Sequence, residues 1–147
     1  MDFELNEEQQ MFQSMVRDFV DNEVSPRAAE WDQTEEFPAD VIKKMTELGF
    51  CGLHLPEEYG GSGDDITFAL ACEELARGSA GLSSIYSQTV SLAMGPIVMF
   101  GNVAQKQNYV RRAASDGAIA AFALTEAMAG SDVANMDMKY TREGDHY

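Results

Sequence analysis

Residues 122–132 read FALTEAMAGSD, and they join the end of an apolar run to a turn. The run at 118–124 is short and bounded by turn signals, so it predicts a buried strand rather than a helix. Gly130 can adopt the positive φ that a tight reversal needs. The hydroxyls of Thr125 and Ser131 lie beside backbone N–H groups that a turn can direct at a phosphate or a heterocycle. The stretch therefore predicts a loop able to bind an anionic cofactor.

Helical patterns fill the chain before this stretch. Asn6 and Gln9 have the spacing of a capping box, which opens an amphipathic helix. Pro26 should kink or end that helix, although a proline can also open the next helical piece. Pro38 is expected to be the first residue of a second helix, and Gly49 to end it.

Three more helices are predicted further along. The first spans about 65–77 and is broken at 79–81. The second spans about 82–94 and is closed by Gly95-Pro96. The third opens with another capping-box pair, Asn102 and Gln105, and stops near Gly117.

The pattern after Gly117 is typical of strands. We expect one strand at 118–124, a second at 136–141 and a turn at 143–145. Only two residues follow that turn, and an isolated pair of strands is marginal, so the β portion is expected to be incomplete. The predicted domains are an all-helical one at 1–117 and an incomplete β one at 118–147.

Composition narrows the classes of partner. The 147 residues carry a formal charge of −15, which argues against nucleic acid and anionic membranes and requires local donors around any phosphate. Two cysteines, Cys51 and Cys72, do not make a disulfide framework, which favours a reducing compartment. The start of the chain shows no targeting segment, and no apolar run approaches the roughly 20 residues of a membrane span.

The sequence Thr125-Glu126, followed by Ala-Gly-Ser-Asp at 129–132, resembles the T-E-P-x-A-G-S-D signature of the acyl-CoA dehydrogenase flavoproteins. Upstream segments resemble family segments in the same order. They lie at 55–61, 73–76, 95–97, 100–101 and 105–106. The resemblance covers nearly the whole chain. One departure is Ala127, which stands where the family usually has a proline that fixes φ.

The resemblance implies a mainly α fold: an up-and-down helical domain of acyl-CoA dehydrogenase type, followed by the start of a β-barrel-like domain. It also implies FAD as cofactor, an acyl-CoA thioester as substrate, α,β-dehydrogenation as the reaction and an electron-transfer flavoprotein as acceptor. The complete enzyme would be a homo-oligomer, a tetramer, in the bacterial cytoplasm or in mitochondria.

The resemblance also assigns roles within the loop. The main chain of Phe122, Ala123, Leu124 and Thr125 would contact the flavin, with Thr125 near the pyrimidine end of the isoalloxazine. Ser131 would face a phosphate of FAD or the CoA part of the substrate, and Gly130 would permit close approach. An ordinary strand-exit turn is the alternative that the residues alone leave open.

Two residues before the loop are candidates for substrate binding. Tyr86 and Gln88 lie on the helix that closes the far end of the acyl pocket in the family. A core or interface role stays open, because an aromatic residue at helical spacing is often a packing residue.

No catalytic residue is predicted. Removal of an α-proton needs a placed carboxylate, but Glu73, Glu74 and Glu126 are interpreted as solvated glutamates. The family takes its base from a glutamate far downstream, so these 147 residues alone are expected to be inactive.

No metal site is predicted either. His54 and His146 have no second ligand at metal spacing, and the acidic residues after the loop do not form an EF-hand. The glycine-rich 60–63 stretch lacks the lysine of a phosphate loop, and a flexible connector is expected. Two other hypotheses remain: a non-catalytic helical binding module, and part of an acyl-CoA oxidase or a flavin monooxygenase.

Overall fold

The computed structural model describes residues 4–62 and 64–147, and its first helix begins at the predicted capping box. The Oδ1 of Asn6 accepts from the N–H of Gln9 at 2.8 Å, and the Oε1 of Gln9 accepts from the N–H of Asn6 at 3.1 Å. Helix α1 (Glu7–Phe19) runs into a π-helical turn (Val20–Val24) and then α2 (Ser25–Thr34). Pro26 lies in the first turn of α2, where its missing N–H is not needed.

Helix α3 (Ala39–Glu47) begins one residue after Pro38, and Gly49 follows it with a φ of +80°. Two 3₁₀ turns come next, Phe50–Gly52 and Glu57–Tyr59.

The loop after these turns is packed rather than a loose connector. The hydroxyl of Ser62 donates to the carbonyl of Leu53 at 3.1 Å. A Cβ on Gly61 would overlap the carbonyl oxygen of Leu55. The expected flexible connector is therefore wrong for residues 60–62, since backbone contacts fill the space a side chain would need; Gly63 lies outside the described residues.

Helices α4 (Asp65–Gly78) and α5 (Ala80–Ser87) are separated by Ser79 alone, which caps α5. A π turn (Gln88–Ala93) and α6 (Met94–Phe100) continue α5 without a break. The prediction that Gly95-Pro96 closes this helix is wrong, because the helix ends only at Gly101. A π turn directly before a proline is one of the local adjustments by which helices accommodate it.

The last helical run starts at the second predicted capping box, around Asn102. It consists of α7 (Val103–Gln105), a π turn (Lys106–Val110) and α8 (Arg111–Ser115). Gly117, with a φ of +66°, follows it and marks the expected stop.

The core lies between these helices, and Phe50 is fully buried in it. The Phe50 ring forms T-shaped contacts with the rings of Phe12 and Phe19, at centroid distances of 5.9 and 5.5 Å. The other buried apolar side chains of the core come from every helix except the short α7; they include Val16, Trp31, Met45, Leu75, Tyr86, Met94 and Val110.

A buried carboxylate joins α1 to α4. Glu74 is 2% exposed, and its oxygens accept from Arg17 Nε at 3.1 Å and from Arg77 Nε at 2.9 Å. Arg77 also pairs with Asp21 at 2.8 Å. The interpretation of Glu74 as a solvated glutamate is therefore wrong, whereas Glu73 beside it is exposed. The two guanidinium groups lower the pKa of the Glu74 carboxyl, first through the hydrogen bond from Arg17.

The described residues 118–147 contain no β-strand; they are largely irregular, with a 3₁₀ turn at Val133–Asn135. The predicted strands at 118–124 and 136–141 are therefore wrong, because no described segment lies alongside either to form a ladder. The expected turn at 143–145 is present: Gly144 has a φ of +65° and a bridge joins Glu143 to His146. Within residues 4–62 and 64–147, none of the helices has the length and hydrophobicity of a membrane-spanning segment.

We expect Glu74→Gln to lower the free energy of unfolding by about 2 kcal/mol, because a charge-assisted pair of hydrogen bonds is replaced by weaker ones. Glu73→Gln is the matched control and should change it by less than about 0.5 kcal/mol. Urea unfolding of both variants measures the difference. Equal effects of the two substitutions would contradict a special role for Glu74.

The contribution of Glu74 should also depend on pH. Its folded pKa lies below the unfolded value, so the unfolded chain binds more protons and the contribution is complete above the unfolded pKa. It is lost as the pH falls through the folded value. Unfolding free energies of the wild type and Glu74→Gln, measured from pH 7 downward, should therefore converge in acid. A gap that stays constant would contradict this assignment.

Candidate functional site

The irregular segment after Gly117 is attached to the helical body just before the candidate loop. The N–H of Ala118 donates to the carbonyl of Arg112 at 3.2 Å. The hydroxyl of Thr89 donates to the carbonyl of Ala120 at 3.2 Å and accepts from its N–H at 3.3 Å. These bonds fix the chain up to residue 120.

The next five residues present free main chain. Residues 121–125 form no hydrogen bond with any other described residue, and all five are exposed. They include Phe122, Ala123, Leu124 and Thr125, the residues predicted to contact a cofactor through their backbone. Unpaired N–H and C=O groups on an exposed segment are ready to bind a ligand or a neighbouring strand.

A tight turn closes the other end of this free stretch. The N–H of Glu126 donates to the carbonyl of Ala129 at 2.9 Å, and the N–H of Ala129 donates back to the carbonyl of Glu126 at 3.3 Å. Ala129 is buried, at 2% exposed. The reversal thus occurs before Gly130, which does not have a positive φ. The expectation that Gly130 needs a left-handed conformation is wrong, but an added Cβ there would meet nothing within 4 Å.

The side chain of Glu126 braces the turn from outside. Its Oε2 accepts from the N–H of Asp137 at 2.7 Å, and its Oε1 accepts from the N–H of Met138 at 3.0 Å. The carboxylate is therefore occupied by two backbone donors rather than solvated. Sequence reasoning missed this role, because nothing local in the sequence pairs residue 126 with residues eleven and twelve positions later.

Ser131 is exposed beside the open Gly130, so its hydroxyl is accessible. Asp132 after it is held by Asn135, whose Nδ2 donates to Oδ2 of Asp132 at 2.6 Å.

The two residues predicted for substrate binding lie in different surroundings. Tyr86 is 4% exposed, its hydroxyl donates to the carbonyl of Phe50 at 2.8 Å, and its ring lies against Phe68. Burial raises the pKa of the Tyr86 phenol. It is thus a core residue, the alternative that the sequence left open. Gln88 is exposed at the start of the π turn (Gln88–Ala93).

A metal centre is not found in the described part of the chain, where no three His, Cys, Asp or Glu side chains group suitably. His54 instead pairs with Asp65, with Nδ1 and Oδ1 2.6 Å apart, and stacks on Phe68.

The profile of the N-terminal domain of acyl-CoA dehydrogenases matches residues 6–117. This chain belongs to the acyl-CoA dehydrogenase family. A probable acyl-CoA dehydrogenase of Bacillus subtilis is 49% identical over 150 residues, which cover 100% of this chain and 39% of that protein. The chain thus spans well under half the length of this relative.

Solved acyl-CoA dehydrogenase-like structures agree with the helical fold. A chain in a structure named for the electron transferring flavoprotein of Acidaminococcus fermentans superposes with a TM-score of 0.90 at 40% identity, covering 99% of this chain and 38% of that one. An acyl-CoA dehydrogenase of Bacillus anthracis, complexed with FAD, gives 0.82 at 36% identity over 91% of this chain and 23% of that one. The predicted family and the mainly α fold class are confirmed.

The space around Gly130 is sufficient for a small side chain. Gly130→Ala should leave the free energy of unfolding within about 1 kcal/mol or raise it slightly, because the backbone is already compatible with a side chain. Gly117→Ala is the contrasting variant: its positive φ and the nearby Thr46 side chain should make it clearly destabilising. Thermal unfolding of both variants checks this. Strong destabilisation by Gly130→Ala would show that its glycine is needed for folding rather than for ligand approach.

Proposed function

We propose that this chain supplies one wall of the FAD site in an enzyme that dehydrogenates acyl-CoA thioesters between the α and β carbons. The observation that carries the proposal is the unpaired, exposed main chain of residues 121–125, held at both ends by hydrogen bonds. Family membership gives this segment its chemical meaning. When bound, FAD would accept a hydride from the β carbon.

In this proposal, the main chain and the side chains of the loop contact different parts of the flavin. The backbone of Phe122, Ala123, Leu124 and Thr125 would bind the flavin, with Thr125 at its pyrimidine end. Because these contacts use main chain, they depend on the conformation of the segment more than on its side chains. Phe122 and Leu124 are 44% and 37% exposed, so they offer apolar surface to the flat faces of the isoalloxazine.

Residues beside the loop complete the proposed wall. Ser131 would donate its hydroxyl to a phosphate of FAD or to the CoA part of the substrate, and Gly130 would let the ligand approach. Gln88 would face the acyl chain. Tyr86, which lies on α5 and is buried in the core, would shape that region through its packing.

The charge distribution is compatible with a phosphate-bearing ligand at this loop. Fifteen of the 25 acidic residues lie in positions 1–60, together with only four of the ten basic ones. The remaining positions, 61–147, contain the loop and carry ten acidic and six basic residues, a much smaller acid excess. The one carboxylate within the turn, Glu126, has its charge partly offset by two N–H donors.

We propose no described residue as the catalytic base. Glu74 is held by two arginines and Glu126 by two amides, so neither carboxylate is free to approach a substrate carbon. The base would come from elsewhere in the enzyme, as would the remaining walls of the site. We also propose a division of the chain into a helical domain at 1–117 and the start of a second domain at 118–147.

Electron-transfer flavoprotein is the acceptor that we propose, and a homotetramer is the assembly. Relatives of this chain include a bacterial and a mitochondrial enzyme. A reducing compartment, suggested by the two free cysteines, fits the bacterial cytoplasm or the mitochondrion.

The binding part of the proposal predicts that the 147-residue chain binds FAD weakly and loses it on gel filtration, since a site with absent walls must be ordered on binding. Titration followed by flavin fluorescence measures the affinity. A stoichiometric yellow complex that survives gel filtration would contradict the picture of a single wall.

The reaction is tested in a chimera in which this chain replaces the matching region of the Bacillus subtilis relative. We expect the chimera to reduce an artificial dye when supplied with acyl-CoA thioesters, whereas the 147-residue chain alone should not. A chimera that folds and holds FAD but is inactive with every acyl-CoA tested would overturn the proposed function. Turnover by the chain alone would show that it contains a base after all.

A further inference from the structure

Thr89 makes an unusual pair of hydrogen bonds for a threonine in a helix. Such a hydroxyl commonly bonds a carbonyl of the preceding turn of its own helix. The Thr89 hydroxyl instead leaves the helix, donates to the carbonyl of Ala120 and accepts from the N–H of the same residue. A hydroxyl has one proton to donate and lone pairs to accept, so it can do both at once. One side chain thus satisfies Ala120 as a neighbouring strand would.

The contact between Thr89 and Ala120 is shielded from solvent. Thr89 is 6% exposed, so water does not compete freely for its hydroxyl. It lies in the π turn (Gln88–Ala93), a helical irregularity that often occurs at functional sites. The contact also bridges 31 positions of sequence, from the helical body to the irregular segment.

The contact at Ala120 lies directly before the five residues whose main chain is unpaired. Ala120 is the last residue held by a hydrogen bond before residues 121–125, and the next held residue is Glu126. The bond from Ala118 to Arg112 alone would leave the direction of the following residues unset. The direction in which the free main chain leaves the helical body is therefore fixed at Ala120.

We propose that Thr89 is a positioning residue that orders the main chain of residues 121–125 and so sets how it is presented to the flavin. The second part rests on the proposed function. Thr89 does not itself touch the cofactor; it acts through Ala120.

The test compares three variants of the 147-residue chain. Thr89→Val removes the hydroxyl but keeps the shape, and Thr89→Ser restores the hydroxyl. Thr67→Val is the matched control, because its half-buried hydroxyl donates to the carbonyl of Asp64, three positions away, and lies on a different helix from Thr89. Residue-resolved amide hydrogen exchange at Ala120 and the amide line widths of residues 121–125 are the readouts, with urea unfolding of each variant measured in parallel.

We expect Thr89→Val to speed exchange at Ala120 about tenfold, which corresponds to about 1.4 kcal/mol in the opening equilibrium, and to broaden the signals of residues 121–125. Thr89→Ser should stay within about threefold of the wild type, a difference well under that 1.4 kcal/mol, and Thr67→Val should leave Ala120 unchanged. Unchanged exchange in Thr89→Val, or failure of Thr89→Ser to rescue it, would overturn the proposal. So would the same change in Thr67→Val, which would indicate a general loss of stability.

Two further measurements keep the test decisive. If Thr89→Val does not fold, the wild type should still show a slowly exchanging Thr89 hydroxyl proton with a nuclear Overhauser contact to the Ala120 amide, and its absence would overturn the proposal. FAD titration should show about tenfold weaker binding for Thr89→Val, again about 1.4 kcal/mol, with rescue by Thr89→Ser. Altered amide exchange with unaltered FAD affinity would refute the link to the flavin. No FAD binding by the wild type would count against the proposed function, while amide exchange would still decide whether Thr89 orders the loop.

Discussion

The helical body depends on one buried carboxylate. Glu74 lies between Arg17 and Arg77, and it joins α1 to α4 across 57 positions of sequence. A carboxylate at 2% exposure would be costly without partners, so both guanidinium groups are needed to offset its desolvation. Helix α4 packs against α5, and the helical run that begins with α5 bears Thr89. The frame on which the loop is held therefore begins at this ion pair.

The loop itself combines firm ends with a free middle. Thr89 holds residue 120, and the paired bonds of Glu126 and Ala129 hold the turn. The proline usual in the family is absent at position 127, yet the turn is closed by its own backbone and by the Glu126 carboxylate. Rigidity that one residue would have provided covalently is thus supplied by hydrogen bonds.

Local signals in the sequence were sufficient for much of the fold. Both capping boxes, at Asn6 and Asn102, could be recognised because each involves residues only three positions apart. The stop at Gly117 was equally local. The burial of Glu74 could not be recognised, since its partner Arg17 is distant in sequence and a helical glutamate is usually solvated. The strands at 118–124 and 136–141 were predicted from apolar pattern, but a strand also requires a neighbour, which a local pattern does not reveal. For the site, the motif indicated where the loop lies, whereas its attachment to Thr89 depends on a contact between distant parts of the chain.

The π turns within the described helices change which side chains share a helix face. Each turn, at Val20–Val24, Gln88–Ala93 and Lys106–Val110, interrupts a helical run that is otherwise continuous. One extra residue in a helix rotates every later side chain by about 100° around the axis. A helical wheel drawn straight through residues 80–100 would therefore place the side chains before and after the π turn on the wrong relative faces. Removal of one residue within such a turn would convert it to an ordinary α turn and restore the wheel, so these are the places in the helices where the chain can change length by one residue while the pieces on either side keep their own packing.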